Sequence, residues 1–141
     1  FDVVLLQGAI DNDSLQPGGA YEKILAPGGI PNIRLLISKS SQDTALCKWY
    51  PDAYRLVHLF GRHPDAMGGV GPTPATPGAS SALSVSVGPG FQPPTSVQSS
   101  SFVIADLTPL HSDGTVPTDS FSGHHSDIYR DEIYRLLAAF L

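Results

Sequence analysis

The sequence holds one cysteine, Cys47, in 141 residues. That excludes a disulfide within the chain and leaves the compartment open. A lone cysteine is expected to be a small buried hydrophobe rather than a nucleophile. Long apolar runs are also missing. None approaches the ~18 residues of a membrane-spanning helix, so no transmembrane segment is expected. Basic residues are few: eight Lys and Arg stand against 13 Asp and Glu, for a net charge of −5. They are scattered and form no stripe, which argues against nucleic acid as a partner.

Charge is absent altogether from Ala66 to Ala105. Between Gly68 and Ser100, 22 of 33 positions are Gly, Pro, Ser or Thr. So little apolar surface does not readily offset the entropy of ordering. Residues 66–101 are therefore expected to be an irregular insertion or a lid over a site. Within them, Leu83-Ser84-Val85-Ser86-Val87 alternates with period two and suits an edge strand.

Cofactor motifs are missing too. There is no G-x-G-x-x-G and no P-loop, so no nucleotide site is expected. Asp11-Asn12-Asp13 opens like a calcium loop, but Leu15 and Gln16 stand where a ligand and a glycine belong. His111, Asp113, His124, His125 and Asp127 lie close in sequence, yet their spacing fits no zinc pattern. Neither a metal nor another cofactor is expected.

What is present fits one domain in length. Val3 to Leu6, Ile33 to Ser38 and Phe102 to Ala105 are short, continuous apolar runs. Such runs suit strands buried on both faces, as in parallel sheets. Ala20 to Leu25 suits a helical turn or two. Trp49 to Arg62 has apolar residues at steps of three and four, with Pro51 in the first turn. Ile128 to Leu141 reads as a closing amphipathic helix capped by Ser126 or Asp127. Tyr50, Tyr54, Tyr129 and Tyr134 are expected to pack between helices and sheet. The alternation of strands and helices predicts an α/β layered fold with a mostly parallel sheet. Three strands are few, and one edge would be apolar and open. A buried-strand pattern that starts at residue two is expected of a chain that continues upstream.

Two residues stand where such a sheet places its chemistry, beyond the carboxyl ends of strands. Asp43 follows the second strand by four residues and precedes a helix. A carboxylate there can orient an imidazole and stabilise its protonated form. His125 lies in Gly123-His124-His125-Ser126-Asp127, between a strand's end and the closing helix. A loop there can hold a general base. His125 is preferred to its neighbour His124, which points elsewhere in most conformations. Asp43 could instead simply cap a turn.

These features resemble the C-terminal half of an α/β-hydrolase-fold serine hydrolase of the lipase and esterase type. Val3-Val4-Leu5-Leu6-Gln7-Gly8-Ala9 resembles the strand after the nucleophile's helix. Ile33 to Lys39 with Asp43 resembles the next strand and its catalytic acid. Phe102 to Asp106 resembles the last strand, and His125 the catalytic histidine. The family's order of Ser, acid and His agrees with the acid-then-His order here. The resemblance implies that Asp43 and His125 are the acid and base of a triad acting on a small ester-type substrate.

The nucleophile elbow G-x-S-x-G has no match in the chain. Ser112 and Ser122 read as ordinary loop serines. The resemblance therefore implies a partner, either an N-terminal segment or a second chain, that carries the serine. The alternative is a non-catalytic module that keeps the fold and pairs its open edge with another chain.

Overall fold

The apolar runs form four strands that all point the same way. A computed structural model describes residues 1–57, 64–114, 123–125 and 127–141. The strands are β1 (Asp2–Leu5), β2 (Arg34–Lys39), β3 (Leu83–Ser86) and β4 (Phe102–Asp106). Their order is β1-β2-β4-β3, and every pairing is parallel. In the register, Leu36 stands between Val4 and Val103, and Ile37 between Leu5 and Ile104. The protein is an α/β fold.

The period-two rule divides β2 between two cores. Leu36 faces one side, with Val85, Val103 and Ala105. There the helix α5 (Asp131–Phe140) lays down Ile133, Leu136 and Phe140, all fully buried. Each such side chain contributes roughly 1.5–3 kcal/mol of burial free energy. Leu35 and Ile37 face the other side, against Leu15, Met67 and Phe102.

The uncharged stretch contributes to both cores. Met67 lies on one side, and Val85, Val87 and Val97 on the other. Leu83–Ser86 adds a fourth strand at the sheet's edge, with Val85 buried and Ser84 and Ser86 exposed. Two short helices also lie in the stretch, α2 (Met67–Val70) and α3 (Ser96–Ser99).

Several boundaries differ from expectation. The helix after β2 begins earlier, with a π-helical turn over Ala45–Trp49, and continues as α1 (Tyr50–Val57). The predicted continuation to Arg62 lies outside the described residues. A 3-10 turn at Glu22–Ile24 occupies the predicted helical segment. The closing helix starts at Asp131, with Arg130 as its N-cap. Asp127 is not the cap because its carbonyl and carboxylate are engaged elsewhere. They meet His111, Arg130 and His124. Ser126 lies outside the described residues.

Cys47 is exposed rather than buried. Tyr129 and Tyr134 are also exposed, so they do not pack on the sheet. A further helix, α4 (Thr108–His111), follows β4 closely. No described helix is long and apolar enough to cross a membrane.

Candidate active site

The chain leaves β2 at its carboxyl end and turns sharply. Ser40 donates its N–H to the Gly68 carbonyl at 2.9 Å, and Asp43 returns its own to the Ser40 carbonyl at 3.2 Å. This turn buries Asp43 completely. Its two oxygens have different tasks. Oδ1 accepts the Leu46 N–H at 3.0 Å and so caps the helical turn that follows. Oδ2 faces the Nδ1 of His125 at 2.8 Å. Asp43 thus both caps a turn and holds an imidazole.

His125 comes from 82 residues further along the chain. A close backbone approach puts it there. Gly123 has φ +63°, and a Cβ on it would stand 2.6 Å from Thr44 Oγ1 and 2.7 Å from the Gln42 carbonyl oxygen. The next N–H, of His124, donates to that same carbonyl at 3.3 Å. Glycine at 123 therefore lets the histidine loop lie directly on the acid's loop. The His125 side chain is 38% exposed while its acid is buried. With Nδ1 donating to the carboxylate, Nε2 is the basic atom of the neutral ring.

Gln7 completes this corner. It follows β1, is 3% exposed, and donates Nε2 to Asp43 Oδ2 at 2.9 Å. The same Nε2 lies 3.4 Å from the His124 carbonyl.

The neighbouring His124 takes a different path. It is buried and stacks on His111, with ring centroids 5.1 Å apart and planes 10° apart. Its Nδ1 lies 3.5 Å from Asp127 Oδ2 without the geometry of a hydrogen bond. His111 is buried at the end of α4. Its Nε2 meets the Asp127 carbonyl at 3.0 Å, and its Nδ1 meets Ser40 Oγ at 2.8 Å. A carbonyl only accepts, so Nε2 donates and Nδ1 accepts the Ser40 hydroxyl. Burial, the largest influence, pushes the His111 imidazole below its ordinary value, although Asp127 pulls it upward. Arg130 closes the cluster with Asp113 at 2.6 Å and Asp127 at 3.4 Å.

Ser40 and His111 are also a serine–histidine pair, but not a nucleophile and its base. Ser40 is fully buried. The other nitrogen of His111 is bound to a carbonyl rather than a carboxylate. Ser112 Oγ donates to the Thr108 carbonyl at 2.7 Å, an ordinary helical back-bond. Ser122 lies outside the described residues. Cys47 is exposed as a residue, but its Sγ lies near the Ser40 carbonyl at 3.5 Å. This partial desolvation raises its thiol, with Asp43 and Asp65 adding to the effect. That environment disfavours a reactive thiolate. Among the described residues, no three His, Cys, Asp or Glu side chains converge on a metal site.

The structure thus brings Asp43 and His125 together, and it sends His124 into a separate buried stack. Sequence reasoning passed over Gln7 because a glutamine after a strand has no signature of its own.

No family model, curated protein or solved structure matches the chain.

Proposed function

We propose that this chain supplies the acid and the base of a Ser–Asp–His triad. The reaction is hydrolysis of an ester or related acyl bond, in an α/β-hydrolase-type site. One observation carries the reading: a fully buried Asp43 holds the Nδ1 of a part-exposed His125 at 2.8 Å, beyond the carboxyl ends of parallel strands. In this reading His125 Nε2 takes the proton of a serine hydroxyl as that oxygen attacks the acyl carbon. It then gives the proton to the departing alcohol. Asp43 keeps Nδ1 protonated and stabilises the imidazolium as it forms. The serine comes from an N-terminal segment or a second chain.

A second reading draws on the sheet's edge. β1 is an edge strand among the described residues. On one face of β1 and β2 lies an apolar pocket of about 260 Å³ whose lining includes Val3, Leu5, Leu15, Tyr21 and Leu35. An added strand could pair with β1 without any chemistry, as in a non-catalytic assembly module.

Denatured masses of the purified natural protein and reaction with a fluorophosphonate separate the two. The catalytic reading expects one serine to be labelled, with a G-x-S-x-G around it. It also expects His125→Ala to abolish labelling while leaving thermal unfolding nearly unchanged. A partner without that motif, together with no labelled serine, favours the assembly module.

A further inference from the structure

We propose that Gln7 is a positioning residue that fixes the Asp43 carboxylate toward His125 and ties the histidine's loop to it. The inference rests on the reading of Asp43 and His125 as acid and base. Gln7 Nε2 reaches both halves of that pair at once. It donates to Asp43 Oδ2, the oxygen that also faces His125, and it lies against the carbonyl of His124, the residue next to His125.

Charge fixes the amide's orientation. Turned over, its carbonyl would face the Asp43 carboxylate and both donations would be lost. The observed orientation leaves Gln7 Oε1 buried with no hydrogen-bond partner among the described residues. A buried acceptor without a partner is costly, so the two donations outweigh it.

The backbone is held just as firmly. Gln7 has φ +44°, in the left-handed region that residues other than glycine seldom adopt. Its N–H donates to Ser38 Oγ at 2.9 Å, and Ser38 is fully buried. On its other side Gly68 packs so closely that a Cβ there would overlap the Gln7 carbonyl carbon. Such strain persists only where the surroundings over-determine it. Here the result is an amide aimed at the acid.

The test is nitrogen-15 and proton NMR of the full chain, reading the His125 Nδ1–H. The wild type is expected to show this proton well downfield, protected from exchange and dependent on Asp43. Gln7→Leu is expected to move it toward the free-imidazole position or to lose it to exchange. Leu15→Ala serves as the control. It thins the apolar core of Leu35, Ile37, Met67 and Phe102, touches neither Asp43 nor His125, lowers stability, and is expected to leave the His125 signal in place. If Gln7→Leu does not fold, Gln7→Asn withdraws the amide by one methylene and is judged in the same way. An unchanged signal in the Gln7 variant would overturn the positioning role while leaving the pair intact. Equal loss in Leu15→Ala would overturn it too, by reducing Gln7 to general stability. Absence of the signal from the wild type would overturn the acid–base pair itself.

Discussion

The two ends of the sheet are held together by different physics. At the amino end, charges stay wet and packing is apolar. Arg34 pairs with Asp2 at 3.2 Å, both partly exposed. Its guanidinium also lies 4.4 Å above the ring of Phe140, which is fully buried. At the carboxyl end a part-exposed Lys39–Asp106 pair stands beside a buried polar cluster. Asp43 and Ser40 are completely buried, with Gln7, His111 and His124 nearly so. Hydrogen bonds among them carry the order. Those bonds set one geometry although Gln7 Oε1 and His124 Nδ1 are left without a hydrogen-bond partner among the described residues. An apolar end tolerates small shifts that a site could not. The comparison explains why a candidate site sits at one end alone.

Four substitutions or conditions test that contrast, from the largest effect to the smallest. Phe140→Ala should cost about 3–5 kcal/mol of stability by opening a cavity under α5. It should leave the His125–Asp43 contact intact, and urea unfolding with NMR of the histidines checks both. Asp43→Asn should cost less, about 1–3 kcal/mol, since with the amide oxygen still capping the Leu46 N–H, the amide NH2 replaces the Oδ2 acceptor shared by Gln7 and His125. Its effect on His125 should nevertheless be complete: an amide NH2 facing Nδ1 donates to it, so the ring carries its proton on Nε2 and has no base there.

Acidification should also act on the carboxyl end. The folded protein holds His111 below its ordinary value of 6.5. The unfolded chain therefore binds that proton more readily. Its contribution is full above 6.5 and is lost as pH falls from 6.5 toward the folded-state value. The thermal midpoint should drop over that range, and His111→Asn should flatten the slope. Asp2→Asn should do least, within about 1 kcal/mol, because its ion pair is largely solvated.

Much of this frame was legible in the sequence. The continuous apolar runs became β1, β2 and β4. Of these, β2 and β4 are mostly buried and need no alternation, whereas β1, expected to be buried on both faces, is a half-buried edge strand among the described residues. The alternating Leu83 to Val87 run became the edge strand β3, where one side of the chain meets solvent. Asp43 and His125 could be singled out because each follows a strand's end and precedes a helix. Their pairing was expected from the resemblance, but the means of it, Gly123 lying against residues 42–44, could not be read. Gln7 was invisible because the residues that bury it, among them Gly68, lie far away in sequence. The His111–His124 stack was equally hidden, because α4 and the histidine loop meet only in three dimensions. The N-cap expectation at Asp127 failed because its carbonyl meets His111 from α4 and its carboxylate pairs locally with Arg130.

The most direct measurement is the tautomeric state of the histidines in the intact chain, by long-range nitrogen-15 correlation at neutral pH. The account predicts that His125 carries its proton on Nδ1, facing Asp43. It predicts that His111 carries its proton on Nε2, facing the Asp127 carbonyl. Finding His125 protonated on Nε2 alone would contradict the account, for Asp43 would then not be holding a general base.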